Sequence, residues 1–278
     1  MYKKPSITQK FYFDNELLII LFCSCTIAPN QRAPMRIAFI SDIHGNFTAF
    51  QAVLADMNSQ NIDQVVCLGD AVTMGPQPVE VLKTLREMDC SFIKGNHDAA
   101  VLNPEIAAQY EITHYLIPDL YWCRDQLTPD DLKFIDSFKP TQEIKLSNEI
   151  TILAFHGSPL SPIDIIQATT PVERLDTYFA EQTANIFIGG HSHIQMQRRY
   201  GDKLILNSGS VGNVFEFVYT PGNVPSLLPW AEYMIISHIK KSVSVDARRV
   251  YYDTDDLLQK VKKSSLPGTD WWLKQFKK

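Results

Sequence analysis

The chain has 278 residues, 45% of them hydrophobic, and a formal net charge of −5 from 26 Lys and Arg against 31 Asp and Glu. That apolar content is ample for one large core. The charges are interspersed, which gives no support to a basic nucleic-acid-binding surface, and no internal repeat or low-complexity tract interrupts the chain.

Residues 1–34 read as an extension outside the folded domain. Leu17 to Ala28 is apolar and follows Lys3, Lys4 and Lys10, the outline of a secretory signal. It falls short of the ~20 apolar residues of a membrane span. Asp14 and Glu16 beside the apolar core argue against a signal, as does the lack of a small-x-small site. Met35 stands where the first strand begins, so an upstream start is the favoured reading and an exported protein the alternative. From Met35 onward only Cys67, Cys90 and Cys123 remain, in no disulfide or zinc-ribbon spacing. This matches a reducing, cytoplasmic setting.

After Met35 the pattern alternates strand and helix. Met35 to Ile40, Gln64 to Leu68, Ser91 to Lys94, Ile150 to Ala154 and Asn185 to Ile188 are short runs of strand character. Phe47, Phe50, Val53, Leu54 and Met57 repeat at helical spacing, and Pro78 opens a second helix. Residues 99–139 form a mostly helical insertion. Its stretch Tyr110 to Asp125 holds His114 at a solvated helix position, and Thr128-Pro129-Asp130-Asp131 starts another helix. Glu143 to Lys145 pairs with Ile150 to Phe155 as a hairpin, and Thr170-Pro171-Val172-Glu173 reads as a capping box. Leu204 to Leu206, Val214 to Tyr219, Glu232 to Ile239 and Ser242 to Tyr251 read as a strand series. His238 lies within the third of these as a structural residue. Residues 254–278 are an extension in which Asp255 to Lys263 is helical, Trp271 and Trp272 dock onto the body, and the lysines are solvated.

Each of the first five runs is followed at once by a polar motif. In order they are Asp42-Ile43-His44, Gly69-Asp70 closing on Gly75, Gly95-Asn96-His97-Asp98, Phe155-His156-Gly157, and Gly189-Gly190-His191-Ser192-His193. A lone Asp or His at a strand end is usually a cap or a surface residue. Several at the carboxyl ends of strands share one rim of an α/β sheet, where ligands collect. Oxygen and imidazole donors without thiolates suit a hydrolytic pair of divalent metal ions. Ser192, between two candidate ligands, either holds one of them or simply fits the turn.

Asp-x-His, Gly-Asp-x(4)-Gly, Gly-Asn-His-Asp, a lone His-Gly and Gly-His-x-His, in that order, resemble the calcineurin-like metallophosphoesterases, in particular their small single-domain phosphodiesterase branch. The likeness covers residues 35–253. Asn207-Ser208-Gly209-Ser210-Val211-Gly212 looks like that branch's Asn-Pro-Gly-Ser-Val-Gly turn, with Ser208 where proline is usual. The resemblance implies an α/β, four-layer αββα sandwich of two mixed sheets flanked by helices. It implies that Asp42, His44, Asp70 and His193 hold one metal and that Asp70, Asn96, His156 and His191 hold the other. Manganese is the favoured ion, with iron, nickel, cobalt or zinc as alternatives. It further implies attack on phosphorus by a hydroxide bridging the metals, with His97 assisting the leaving group and Asp98 orienting the His97 imidazole. A small phosphodiester or nucleotide is the expected substrate. Protein phosphatases and symmetrical dinucleoside tetraphosphatases carry an arginine before the second motif's glycine, where Met74 stands here. A nucleotide or dinucleotide phosphatase remains an alternative. So does a protein-interaction scaffold, the use to which a retromer subunit puts the same fold. Nothing in the chain speaks to oligomeric state.

Overall fold

The computed structural model describes residues 8–13, 16–21, 35–220, 223–240 and 242–276. Residues 1–33 form one compact unit and residues 34–278 another. In the first, β1 (Thr8–Phe13) pairs antiparallel with β2 (Glu16–Leu21). Part of the apolar stretch Leu17–Ala28 is thus a strand, and its remainder lies outside the described residues. Among the described residues no helix is long and apolar enough to cross a membrane.

The second unit is built on two five-stranded sheets. One has the order β12 (Ser242–Tyr251), β11 (Trp230–Ile239), β3 (Met35–Ile40), β4 (Gln64–Cys67), β5 (Cys90–Phe92). The other runs β6 (Thr141–Lys145), β7 (Thr151–Phe155), β8 (Ile186–Gly189), β10 (Lys203–Asn207), β9 (Met196–Tyr200). Within each, three strands are parallel: β3, β4 and β5 in the first, and β7, β8 and β10 in the second. Their remaining neighbours run antiparallel.

Period-two alternation explains the layering. Ile37, Phe39, Val66 and Leu68 face Ile152, Ala154, Ile186, Ile188 and Leu206 across the inter-sheet core. The alternate residues Ala38, Ile40 and Cys67 turn outward onto α1 (Phe47–Met57) and α2 (Pro78–Glu87). On the far side Leu153, Phe155, Phe187 and Ile205 pack on α6 (Val172–Phe179), with the Phe179 and Phe187 rings stacked 4.3 Å apart. Helix, sheet, sheet, helix is the architecture expected from the sequence.

Several local expectations are corrected. Tyr110 to Asp125 is not one helix: Glu111 turns left-handed at φ 56°, and α4 (Ile117–Gln126) begins only beyond it. Pro118 in its first turn supplies no N–H and disfavours helix in the preceding residue. Thr170 caps nothing; its hydroxyl accepts from Gln167 N at 2.8 Å, and α6 starts after Pro171 with no side-chain cap. Val214 to Tyr219 is no strand and makes only isolated bridges, such as Phe215 with Leu227. Its Phe215 ring is instead stacked on His193, 4.3 Å away. Strand β9, Met-Gln-Arg-Arg-Tyr, escaped notice because an edge strand needs few apolar residues.

In the insertion, α3 (Asn96–Leu102) packs on α4 and α5 (Pro129–Asp136), Phe134 of α5 meets Phe92 of β5 with ring centroids 5.0 Å apart, and Thr128 caps α5 reciprocally with Asp131. Helices α7 (Thr254–Lys263) and α8 (Thr269–Trp272) bury Leu257, Val261, Leu266 and Trp272 with Leu227. The Trp272 ring is fully buried, and its Nε1–H donates to the Met74 carbonyl at 2.8 Å, fixing the second motif's loop from behind. Trp272→Ala therefore costs about 3–5 kcal/mol of stability in urea unfolding, whereas Trp272→Phe costs about 1–2 kcal/mol by losing chiefly the hydrogen bond. Unchanged stability in Trp272→Phe would show that the bond to Met74 holds nothing.

Candidate metal centre

Six parallel strands deliver the polar motifs to one place. Asp42 and His44 follow β3, Asp70 follows β4, Asn96 to Asp98 follow β5, His156 follows β7, His191 and His193 follow β8, and Ser210 to Gly212 follow β10. Backbone hydrogen bonds sew the strand ends together: Asp42 N to Gly69 O, His44 N to Asp70 O, Gly190 N to His156 O and Gly212 N to Asp42 O, each at 2.9 Å. The backbone is unusual here. Asp42, His44, Asp70, His191 and His193 all have left-handed φ, from 47° to 66°. Such angles are uncommon for non-glycine residues and cost about 1–3 kcal/mol each, so the surrounding fold must impose them. Gly95 is required for a different reason: a Cβ there would collide with the Asp70 carboxylate.

Two groups of candidate-ligand donors result, Asp42 with His44 and His193, and Asp70 with His156 and His191, and a third, overlapping group joins His44 and Asp70 to His97; within each, the donor atoms lie within 4.8 Å of one another. Asp42 Oδ1 is 3.3 Å from His193 Nε2, and His44 Nε2 is 3.1 Å from His193 Nε2. Asp70 Oδ2 is 3.3 Å from His156 Nε2 and 3.8 Å from His44 Nε2, so one carboxylate reaches both groups. Asn96 Oδ1 lies 3.1 Å from His156 Nε2. Donors bound at about 2.0–2.2 Å around one ion stand about 3 Å apart, which these separations approach. Asp42 Oδ1 is fully buried and accepts no hydrogen bond, as an oxygen meant for a cation would be.

The donors are aimed by their other atoms. His156 Nδ1–H donates to Leu68 O at 2.8 Å and His193 Nδ1–H to Asn213 O at 2.6 Å, which turns each Nε2 inward. Asn96 Nδ2 donates to Tyr110 O at 3.1 Å, which turns its Oδ1 inward. The other oxygen of each carboxylate is taken by backbone: Asp42 Oδ2 accepts from His191 N at 3.0 Å and Asp70 Oδ1 from His97 N at 2.9 Å.

Charge in this closed space is balanced by proximity. Burial pushes both carboxyls up, but the facing imidazoles overrule it and hold Asp42 and Asp70 below the usual range. Burial pushes His156 down, but the charges of Asp70 and Asp42 raise it to about 10. For His44 and His191 burial wins and both fall to about 3, so they offer neutral, ligand-ready nitrogens.

His97 and Asp98 divide differently from the sequence expectation. The carboxylate of Asp98 does not orient the His97 ring. It accepts from Asp70 N at 2.7 Å, Gly95 N at 3.0 Å and Ala71 N at 3.0 Å, clamping the turn that carries Asp70. Burial and then the Asp70 charge push the Asp98 carboxyl up to about 7 despite those bonds. The His97 ring is held instead by Thr73, whose Oγ1 lies 2.9 Å from Nδ1. Thr73 was missed in the sequence; its one signal was a place two residues before the second motif's glycine. Ser192 touches no candidate ligand's donor atom, and its hydroxyl accepts from Asn207 Nδ2 at 3.1 Å. His114 is exposed with its ring against Tyr115, and His238 is half-buried in β11.

Residues 35–220 match the model of the calcineurin-like phosphoesterase superfamily domain. An uncharacterized protein of Methanocaldococcus jannaschii is 30% identical over 236 residues, 83% of this chain and 93% of that one. Among solved structures, a metallophosphoesterase from Sphaerobacter thermophilus is 25% identical, with a TM-score of 0.63 over 84% of this chain and 96% of that one. A hypothetical protein of Pyrococcus horikoshii shares the fold at 18% identity, with a TM-score of 0.71 over 84% of this chain and 94% of its own. This chain belongs to the calcineurin-like phosphoesterase superfamily.

The clamp by Asp98 can be tested apart from chemistry. Asp98→Ala leaves three backbone N–H groups without their acceptor and is expected to cost about 2–4 kcal/mol in thermal or urea unfolding. It is also expected to weaken manganese binding in a dialysis titration, because the turn bearing Asp70 loosens. Unchanged stability and unchanged metal affinity would remove Asp98 from the centre's support.

Proposed function

We propose that this member of the calcineurin-like phosphoesterase superfamily is a binuclear-metal-dependent phosphohydrolase acting on small phosphodiesters, nucleotide diesters among them. The observation that carries the reading is the buried Asp70 carboxylate, whose Oδ2 lies within 3.8 Å of an imidazole nitrogen from each donor group. Asp42, His44, Asp70 and His193 would hold one ion, and Asp70, Asn96, His156 and His191 the other. Manganese is our choice of ion; the oxygen and imidazole donors also accept iron, nickel, cobalt or zinc, among which availability decides. When bound, the pair supplies Lewis acidity toward the phosphoryl oxygens and lowers the pKa of water toward ~7.

The chain's own residues do the rest. Loading displaces the proton that His156 shares with Asp70, so the centre binds metal more weakly as pH falls. His97 is half-buried, as is His191, and so can reach a bound ester. With Nδ1 held by Thr73, its Nε2 is left to deliver a proton to the oxygen that leaves phosphorus. Thr73 is a neutral partner, so it orients that ring without adding a charge. Met74 in place of an arginine supports a diester, which carries one negative charge, over a doubly charged monoester. We assign the catalytic domain to residues 35–253, with 99–139 as its insertion and 254–278 as a docked extension. The buried thiols Cys67 and Cys123 and the half-buried Cys90 support a cytoplasmic setting.

Hydrolysis of bis-p-nitrophenyl phosphate by manganese-loaded protein tests the reading, and bound metal without turnover of any diester would contradict it. Asp70→Asn is expected to lose both tight metal binding and more than about a thousandfold of activity. His97→Ala is expected to keep its metal content and lose about 10²–10⁴ in kcat. Thr73→Val should lose about tenfold in kcat at unchanged metal content while Thr73→Ser stays near wild type. Wild-type rates in Thr73→Val would leave the His97 ring without need of a partner.

A further inference from the structure

Beside the metal centre lies an open cleft of about 330 Å³ that shares His156 and Gly95 with it. From it we infer the substrate's chemical class: the cleft binds a flat, uncharged organic group of the phosphodiester, an aryl ring or a nucleobase. This rests on the hydrolase reading above. The volume is at the low end of about 300–1,000 Å³ for small-molecule sites, enough for one ring system rather than a whole dinucleotide.

Tyr110 and Phe138 come from the helical insertion, and Pro159, Leu160 and Pro162 from the loop after His156. Both walls are fixed to the centre. The Tyr110 carbonyl accepts from the side chain of Asn96, so the ring's backbone is anchored to a donor residue. The loop from His156 is stiff: Ser158 Oγ accepts from Leu160 N at 3.0 Å and Ser161 N at 3.1 Å and donates to Asp164 Oδ2 at 2.6 Å. Two prolines fix φ within it, and a Cβ at Gly157 would come within 2.7 Å of Pro162 O, so the turn admits no larger residue. A wall already ordered before binding costs the ligand little entropy. Leu160 leaves 66% of its surface exposed, so its side chain can be changed without disturbing the core.

The charges in the cleft select against polyphosphates. Apart from His156, whose ring already faces the Asp70 carboxylate at 3.3 Å, Lys94 is the one cationic side chain among the lining residues, and its ammonium is already bonded to Asp136 Oδ1 at 3.0 Å and Asp136 O at 2.9 Å. A second phosphate would find apolar walls and no free positive charge. A ring would find the half-buried Tyr110, the prolines and Leu160, backed by Phe138, whose ring is itself stacked on Phe92 at 4.9 Å. The larger hollow of about 600 Å³ on the β9–β10 hairpin is lined by that hairpin alone and touches no site residue.

Phosphonates carrying a single organic arm isolate the effect. Calorimetric titration of manganese-loaded protein with phenylphosphonate and with methylphosphonate should show the phenyl compound binding about tenfold tighter. Leu160→Asp, at an exposed position, and Phe138→Ala should each reduce that ratio to within about twofold. Inorganic pyrophosphate should bind no better than phosphate. Equal affinities for the two phosphonates in wild type, or a phenyl preference that survives both substitutions, would overturn the inference. Turnover of bis-p-nitrophenyl phosphate in the same preparations keeps the two readings apart. Turnover without a phenyl preference removes the cleft's role alone, whereas phenyl preference without turnover removes the hydrolase reading.

Discussion

Two carboxylates, Asp42 and Asp70, sit at 0% and 1% exposure within one small space. Buried anions are costly unless positive charge stands beside them. Here the counter-charge comes from the imidazoles, foremost His156, which is raised to about 10 by the very acids it faces. Much of the surrounding structure serves that balance. Carbonyls of Leu68 and Asn213 aim the ring nitrogens, backbone N–H groups occupy the outer carboxylate oxygens, and Asp98 braces the turn that carries Asp70. The remaining inner donor atoms have the chemistry of a cation site.

The fold supplies this arrangement by stacking two sheets so that three parallel strands of each end at the same rim. The inter-sheet core of Ile37, Phe39, Ile152 and Ile188 fixes the spacing between the strand ends. The five left-handed backbone positions are then tolerated because neighbouring strand ends hydrogen-bond across them. Elements far along the chain complete the support. Trp272 holds the Met74 loop, and the Thr73 of that loop holds His97, so the tail bears on the imidazole expected to act on substrate.

The centre was legible in the sequence because its residues sit in short polar motifs directly after apolar runs, in an order that resembles one family. The layers were legible from strand-helix alternation. What could not be read was which atom each side chain would face. Asp98 follows His97 in the chain, yet its carboxylate turns to three backbone N–H groups while Thr73, 24 residues away, takes the imidazole. Left-handed angles at Asp42 or His193 leave no mark in composition, since neither residue is glycine. Val214 to Tyr219 has the β-branched and aromatic content of a strand but pairs with the chain around Leu227 only as an isolated bridge, and the Phe215 ring lies on the face of His193.

The central claim is that one carboxylate, that of Asp70, ties two cations into a single centre. Electron paramagnetic resonance of the protein loaded stepwise with manganese tests it most directly. The account predicts two ions per chain at saturation and a spectrum of an exchange-coupled pair. One ion per chain, or two ions with independent spectra, would contradict it.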